Sequence, residues 1–474
     1  MYAKLRRDAL AIFRAALRAA DPQEGIRRAQ PQFQHLLEPS YDHIYVVGAG
    51  KASAAMAQAV ERILGKRITS GLINTKHGHL AKLRRIQLNE CAHPVPDQAG
   101  VDGASRIAQI AAQATENDLV ICLISGGASA LLPLPAPGLT LEDKQKITRQ
   151  LLACGANIHE INTVRKHLSA IKGGQLAALA APAQLLTLVL SDVIGDDLSV
   201  IGSGPTMPDY STYADARAIL AHFRITPPLA VEKHLNRAAQ ENPTTLPNAR
   251  TIIVGGNRLA VDAAAAEAER RNYQPLVLST TIEGETRDVA RMHAAIAREV
   301  SETDRPAKAP ACLISGGETT VTLTGNGLGG RNQEFVLAAA LDLPPRTVVL
   351  SAGTDGTDGP TDATGAIADS TTLQKAKAHG LDPRASLNGH NAYPFFDALG
   401  DLIRTGPTGT NVMDIRLFLI APPLSEQPAL SEQPALSEQP APLGAQGPPA
   451  KPTKPRRSPT RSATPSPTRA PSSR

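Results

Sequence analysis

Short apolar segments that end in glycine-rich loops recur along this chain, and they constrain its fold more than any other feature. Residues 43–47 run into GAGK before the helix-forming segment 52–64, and residues 119–124 run into SGGASALL. Because parallel strands need a crossover connection, usually a helix, this order favours parallel strands joined by helices. Aromatic residues make up only 3% of the chain, with no Trp, which further favours an α/β fold.

The same order of segments starts again after residue 250, which predicts two α/β lobes. The later apolar segments lie at 251–254, 275–278, 311–314, 321–323, 348–350 and 415–420. The polar stretch 241–247 is the candidate boundary, so we expect an N-terminal domain over 1–243 and a C-terminal domain over 244–420. CLISGG occurs in each lobe, either by chance or because two similar loops face one cleft.

The two ends of the chain have different compositions. Apolar residues recur at helical spacing in an opening amphipathic helix predicted over 3–20: Leu5, Ala9, Ile12, Phe13 and Leu17. Residues 421–474 carry three copies of LSEQPA and then a Pro/Ser/Thr/Arg-rich end, so we expect them to be disordered.

The charge and the cysteines indicate which environment suits the protein. Most of the net charge of +5 comes from the tail, with seven basic and three acidic residues after position 423, so the rest of the chain is nearly neutral. Such a body lacks the basic footprint of a nucleic-acid-binding domain. The four cysteines form no CxxC pair, and nothing reads as a membrane span or a signal peptide. We therefore expect reduced thiols and a cytoplasmic location.

The loop GAGKAS at 48–53 is the first candidate site, with Gly48, Gly50 and Lys51 offered to an anion. Backbone N–H groups, a helix N-terminus and an ammonium together suit a phosphate. The alternative is a tight turn whose lysine points to solvent.

This loop departs from two familiar nucleotide-binding motifs. A P-loop would have glycine at the position of Tyr45 and Ser or Thr at that of Ala52. The dinucleotide fingerprint would have a third glycine-like residue where Ser53 stands, and an acidic residue where the next strand ends at Lys76. The pattern therefore disfavours an NAD(P)H-dependent enzyme.

A second loop, 125–129, predicts another anion-binding turn through Ser125, Gly126, Gly127 and Ser129. Its glycines would let a ligand approach free amides closely. It lacks the first glycine of the G-x-S-x-G elbow, so covalent serine chemistry is not expected.

Further cations occur on predicted helices. Arg165 and Lys172, seven residues apart, share one predicted helical stripe that suits a carboxylate or phosphate, unless it is simply a solvated face. Gly330 and Arg331 begin a helix after the glycine loop GNGLGG, and an Arg aimed into a cleft could stabilise a phosphoryl group in transfer.

Carboxylates at strand ends are the candidate ligands of Mg²⁺. Asp192 ends a strand of the first lobe and Glu318 follows CLISGG in the second. Asp355 leads a run with Asp358 and Asp362 in GTDGTDGPTDATG, although tight Asx-type turns need the same residues.

Taken together, these motifs resemble a known family, the ATP-dependent glycerate 2-kinases with a C-terminal MOFRL domain, which often carry the name hydroxypyruvate reductase. The resemblance covers residues 5–420, and its motifs occur in order: VVGAGKAS, HPVPD, ISGGASALL, INTVRKHLSAIKGGQLA, LSDVIGDDLSVIGSGPT, ISGGETTVTL, GLGGRNQEF and SAGTDGTDGPTDATG. Thr364 departs from the pattern, where a small residue is expected, and the tail is additional to it.

The resemblance implies a Rossmann-like, mostly parallel N-terminal domain, a smaller α/β C-terminal domain, and an active site in the cleft between them. It implies that Lys51 and Arg331 are essential, that ATP and Mg²⁺ are needed, and that D-glycerate becomes 2-phosphoglycerate. The alternatives are an NAD(P)H-dependent hydroxypyruvate reductase and a non-catalytic anion-binding protein. We expect no requirement for nucleic acid or membrane, and a homodimer is left open.

Overall fold

The computed structural model describes residues 1–237 and 240–423, which form two six-stranded sheets flanked by helices. This confirms the predicted α/β class. Of the segment 421–474, predicted to be disordered, residues 424–474 lie outside the described part of the chain.

The first sheet is entirely parallel. Its strands are β1 Ile44–Ala49, β2 Ser70–Lys76, β3 Ile86–Cys91, β4 Leu119–Ile124, β5 Gln184–Leu190 and β6 Ala249–Gly255. They lie in the order β3-β2-β1-β4-β5-β6, with every neighbouring pair parallel. This is the strand order of the Rossmann fold, and it confirms the Rossmann-like architecture. The order reverses between β1 and β4, where such sheets bind ligands.

The second sheet is mixed. Its strands are β7 Gln274–Ile282, β8 Ala311–Gly317, β9 Thr347–Gly353, β10 Gly365–Asp369, β11 Leu402–Ile403 and β12 Asp414–Ile420, in the order β11-β10-β9-β12-β8-β7. The pair β7 and β8 is parallel, and the other pairs are antiparallel. The strand predicted at 321–323 is wrong, because β7 and β12 already occupy both edges of β8.

Helices connect and cover the strands. They are α1 Tyr2–Ala19, α2 Pro22–Leu37, α3 Ser53–Leu64, α4 Gln98–Ala112, α5 Ala128–Leu131, α6 Leu141–Ala153, α7 Ile158–His167, α8 Gln175–Ala180, α9 Tyr213–His222, α10 Leu229–Arg237, α11 Asn257–Arg270, α12 Thr286–Thr303, α13 Arg331–Ala340, α14 Thr372–Ala378, α15 Pro383–Asn388 and α16 Ala392–Leu399. Among the described residues, no helix combines the length and hydropathy needed to cross a bilayer.

Helix α1 confirms the amphipathic helix predicted over 3–20. It also joins the two sheets. Leu5, Ala9, Ile12 and Phe13 are buried on one face of α1, which ends before the α2 cap formed by Asp21. This face packs against α11 and against β9 and β12 of the second sheet. One continuous apolar core contains α1, α2, α3 and α11 together with one face of each sheet.

The connection between the sheets differs from the predicted lobes in two details. Strand β6, which the sequence assigned to the second lobe, pairs with β5 of the first sheet. Helix α1, at the start of the first lobe, packs on the second sheet. The domain limits 1–243 and 244–420 stay a prediction.

Candidate active site

Two loops meet where the strand order of the first sheet reverses. In the loop after β1, the Lys51 N–H donates to the Gly126 carbonyl at 2.9 Å, and the Ala52 N–H donates to Ser125 Oγ at 3.0 Å. The Gly50 N–H donates to the end of β2 at 3.1 Å. The amides of GAGKAS that the sequence offered to an anion are therefore occupied within the protein. What this loop presents is the side chain of Lys51.

The glycines of these loops allow close approach of neighbouring chain segments. A Cβ on Gly48 would overlap the backbone of β4, and one on Gly126 would overlap the carboxylate of Asp192. Gly50, with φ of +143°, lies against Ser125 in the same way. These packing reasons account for the three glycines, and their roles in binding stay predictions.

Lys51 and Asp192 lie close together at the carboxyl edge of the first sheet. Asp192 follows β5, and burial raises the pKa of its carboxyl group, while the charge of Lys51 acts in the opposite direction. In the described part of the chain, the Lys51 ammonium forms no salt bridge. An ammonium is thus available beside a partly desolvated carboxylate.

Arg331 lies at the corresponding edge of the second sheet. As the first residue of α13, it donates from Nε and Nη2 to the two oxygens of Asp414 at 2.8 and 3.0 Å, and Nη1 lies 2.8 Å from Glu318. Burial lowers the pKa of Arg331, but the charges of Asp414 and Glu318 more than offset this and raise it above its ordinary value. The guanidinium is therefore permanently charged and held in one orientation.

Glu318 links the two halves of the site. Burial raises the pKa of Glu318, the charge of Arg331 lowers it, and the carboxylates of Asp414, Asp192 and Asp355 raise it further. The structure thus brings two of the predicted metal ligands, Asp192 and Asp355, within electrostatic range of the third, Glu318. Within residues 1–237 and 240–423, however, no three acidic, histidine or cysteine side chains form a preassembled metal site.

Asp414 is a site residue that sequence reasoning missed. It is fully buried at the start of β12, and besides Arg331 it accepts from Asn332 Nδ2 at 2.9 Å and from Arg416 Nη2 at 3.0 Å. Arg416 is itself buried and lies over the ring of Phe335, 5.4 Å from its centroid. The available signal was an Asp and an Arg, two residues apart, in an otherwise apolar strand.

Two cavities flank this cluster. The larger, of about 930 Å³, is lined by Asp192, Glu318 and Arg331. The smaller, of about 480 Å³, is lined by Lys51, Gly126 and Asp355. These six predicted residues therefore line cavities formed by loops of both sheets, whereas the other predicted residues, except Gly330, line neither of the two.

Comparisons with known proteins agree with this architecture. Residues 8–236 match a domain of unknown function, DUF4147, and residues 311–414 match the MOFRL family. The D-glycerate 2-kinase of Thermotoga maritima is 41% identical over 419 residues, covering 88% of this chain and 98% of that protein. The chain belongs to the glycerate kinase family.

Other members of the glycerate kinase family resemble the chain in sequence and structure. A protein of Agrobacterium vitis that carries the name of a hydroxypyruvate reductase is 45% identical, covering 79% of this chain and 98% of its own length. The crystal structure of a glycerate kinase from Thermotoga maritima superposes with a TM-score of 0.84 at 41% identity, covering 88% of this chain and all of the other. The second, mixed sheet therefore belongs to the fold of the glycerate kinase family.

The three aspartates of the acidic loop after β9 make different contacts. Asp355 lines the smaller cavity and accepts from the N–H and hydroxyl of Thr357, as in an Asx turn. Asp358 caps α13, and a Cβ on the preceding Gly330 would overlap it. Asp362 binds Tyr393 and Arg404 at the surface. The preference for Asp355 as a site residue stays a prediction.

The cations of the motif INTVRKHLSAIKGG do not share one helix, so that prediction is wrong. Helix α7 ends at His167, and Lys172 lies five residues beyond that end, directly before two positive-φ glycines. Lys172 is buried and donates to the carbonyls of Ser129 and Gly202 at 2.9 and 3.2 Å, which ties two loops together. Burial, with the nearby charges of Lys144 and Arg165, lowers its pKa well below the ordinary value. A ligand-binding role for Arg165 and Lys172 stays a prediction.

Proposed function

We propose that this protein transfers the γ-phosphoryl group of ATP to the 2-hydroxyl of D-glycerate, giving 2-phosphoglycerate and ADP. The observation that carries this proposal is that Lys51 from one sheet and Arg331 from the other line two cavities beside a shared set of carboxylates that includes Asp192 and Glu318. Relatives from Thermotoga maritima and Pyrococcus horikoshii are named as glycerate 2-kinases, which supports the substrate and the 2-position.

Phosphoryl transfer depends mainly on positioning and on stabilising charge, and this site supplies both. Arg331 is held by the bidentate pair with Asp414, so its guanidinium needs little reorganisation when charge develops on the phosphoryl oxygens. Lys51 supplies an ammonium that lines the smaller cavity. Closure of the cleft would exclude water, which protects ATP from hydrolysis.

The donor groups of the cleft fit Mg²⁺ in their chemistry. Mg²⁺ is bound through oxygen, keeps several waters, and is commonly held by one or two carboxylates together with phosphate oxygens. Asp192 and Glu318 are carboxylates whose pKa values burial raises, so a cation would relieve their desolvation. We infer that these two, with Asp355 nearby, would hold the ion. The bound ion would neutralise charge on the nucleotide phosphates.

The reductase alternative is disfavoured by the same loops. In a dinucleotide-binding fold the pyrophosphate binds free amides after β1. Here those amides bind Gly126, Ser125 and β2 instead. No acidic residue ends β2, which closes with Lys76.

One assay tests the proposed reaction. The purified protein is mixed with D-glycerate, ATP and Mg²⁺, and the products are identified by phosphorus NMR. We expect 2-phosphoglycerate and ADP in equal amounts. Absence of ADP formation, together with NADH or NADPH oxidation in the presence of hydroxypyruvate, would overturn the proposal. Failure of both reactions, with binding of glycerate retained, would point to the non-catalytic alternative.

We further infer that the protein is a cytoplasmic enzyme whose substrates are small molecules, and that it needs no nucleic acid or membrane. Its four cysteines are free, and Cys91, Cys122 and Cys312 are buried. This state suits a reducing compartment. The homodimer stays a prediction that gel filtration with light scattering can test.

A further inference from the structure

The smaller cavity has a cationic wall formed by Lys51 and Lys76, with the neutral His93 of the next strand packed nearby. Lys51 follows β1, Lys76 is the last residue of β2, and His93 lies two residues beyond the end of β3. His79, three residues after the end of β2, also lines the cavity, and burial lowers its pKa so that its ring is neutral. Because the strands are parallel and adjacent, their carboxyl ends converge at one edge of the sheet.

Contacts hold this wall in place. His79 Nδ1 donates to the Lys51 carbonyl at 3.1 Å, which fixes the imidazole against the loop. The His93 ring packs on Gly127, where an added Cβ would lie 3.0 Å from the ring and 3.4 Å from Lys51 Cγ. Burial, together with the charges of Lys51, Lys76 and His79, lowers the pKa of His93 to about 4. The four side chains therefore form one electrostatic cluster.

The wall has a surplus of positive charge. Among the described residues, neither Lys51 nor Lys76 forms a salt bridge. The facing wall comes from loops of the second sheet and presents Asp355, Thr357 and Asn411. One side thus suits a small anion, and the other offers acceptors and donors for hydroxyl groups.

The larger cavity has a different character. Ile158 and Leu323 line it from opposite sheets, and their side chains are 48% and 69% exposed. Large apolar side chains left exposed at the mouth of a cleft indicate a surface that a ligand covers. A flat purine is such a ligand, and a cavity of about 930 Å³ is large enough for a nucleoside triphosphate.

We propose that the smaller cavity binds the hydroxy acid, with Lys76 holding its carboxylate, while the larger cavity binds the nucleotide with its base between Ile158 and Leu323. The assignment rests on the proposed kinase function. It places the acceptor hydroxyl on the side of Asp355 and Lys51, and the triphosphate on the side of Glu318 and Arg331.

The first test removes the charge of the Lys76 side chain and the charge of the substrate carboxylate separately. Lys76→Met keeps the length of the side chain without its charge, and glyceramide keeps the hydroxyls of glycerate without its carboxylate. For the wild-type enzyme, kcat/KM for glyceramide should fall by about 10-fold to 100-fold relative to D-glycerate, the range for a hydrogen bond between charged groups. In Lys76→Met the two substrates should differ much less, because the two changes remove the same interaction. Unchanged discrimination in Lys76→Met would overturn the role of Lys76.

The second test separates the two cavities. Lys76→Met should raise KM for D-glycerate and leave KM for ATP unchanged, whereas Leu323→Ser should do the reverse. Exposed residues away from the cleft give matched controls, Lys66→Met and Leu152→Ser, which should change neither KM. The opposite pattern, with Lys76→Met acting on ATP alone, would overturn the assignment while leaving the kinase function intact. If wild-type protein phosphorylates no glycerate, the proposed function itself fails.

Discussion

The side chains of Lys51 and Arg331 differ in the ion pairs that hold them. The Lys51 side chain has no salt bridge among the described residues, whereas Arg331 is bound by Asp414 and Glu318. An ammonium without an ion pair is free to pair with an anionic ligand, and a fixed guanidinium gives preorganised stabilisation. Both charges should therefore be needed, but for different physical reasons.

Removing either charge should strongly impair turnover. We expect Lys51→Met and Arg331→Met to lower kcat by about 10²-fold or more, as for other preorganised groups that stabilise a transition state. Steady-state kinetics with ADP detection checks this, with Lys66→Met as the exposed control. A loss of less than about threefold in either variant would contradict its proposed role.

Asp414 should matter through Arg331. Asp414→Asn leaves Arg331 and the buried Arg416 without a neutralising charge, so we expect a loss of about 3–5 kcal/mol of stability and a lower kcat with little change in KM. Asp369→Asn is the matched control, since Asp369 is buried and paired with Arg6 away from the cleft. Urea unfolding and steady-state kinetics should show that both variants lose stability and that only Asp414→Asn loses turnover.

At the scale of elements, the start of α13 determines where Arg331 stands. Asp358 accepts from the N–H groups of Asn332 at 3.0 Å and Gln333 at 2.9 Å, in the first turn of the helix. Burial raises the pKa of Asp358 to about 6, although the two N–H groups act to lower it. Arg331 and the N–H groups that Asp358 caps therefore lie in the same first turn of α13.

Removing this cap should disturb catalysis as well as stability. Asp358→Ala should cost about 1–2 kcal/mol, the usual range for loss of a helix cap, and should lower kcat because Arg331 moves with the first turn. Asp21→Ala removes the cap of α2, far from the cleft, with a similar cost. Equal kcat values for the two variants would show that the α13 cap serves stability alone.

At the scale of the whole molecule, a buried histidine couples folding to pH. His293 Nδ1 donates to the Val289 carbonyl at 2.7 Å, and Nε2 accepts from the Ser315 hydroxyl at 2.8 Å, so the imidazole is neutral. Burial lowers its pKa to about 4. Between about pH 6.5 and 4 the unfolded chain binds a proton that the native state does not, because a free histidine has a pKa near 6.5.

This linkage predicts a loss of stability in acid. The free energy of unfolding that depends on a neutral His293 is fully present above about pH 6.5. It falls as the pH drops toward 4, by about 3 kcal/mol in total. Replacing both hydrogen-bond partners, His293→Leu with Ser315→Ala, should make the free energy of unfolding less dependent on pH. Urea unfolding between about pH 7 and 4.5 measures this. The exposed His222→Leu is the control. If the free energy of unfolding of the double variant changes with pH as steeply as that of the wild type, His293 is not the cause of the pH dependence.

The tail should be dispensable for the reaction. The residues that line the two cavities all precede position 412, so a chain ending at Pro423 should retain kcat and both KM values within about twofold. It would also lose seven basic and three acidic residues, which should weaken retention on a cation exchanger. A large loss of activity on truncation would contradict the placement of the site.

The amino-acid sequence by itself determined the order of strands, glycine loops and helices, because these depend on short-range spacing. Lys51, Asp192, Glu318 and Arg331 could be found because each follows an apolar segment or a glycine loop. The ordered motifs also identified the family. The limits of the two lobes and the pairing of the second sheet were less accessible, since β6 and β12 are ordinary apolar segments whose neighbours lie elsewhere in the chain.

Only the tertiary structure decided which groups are free and which are occupied. The amides of the GAGKAS loop looked available until β4 supplied Ser125 and Gly126 as partners. Asp414 gained its role from Arg331, 83 residues away in sequence. The physical reason is that hydrogen-bond partners and charge neighbours are set by packing between distant segments, which no local pattern records.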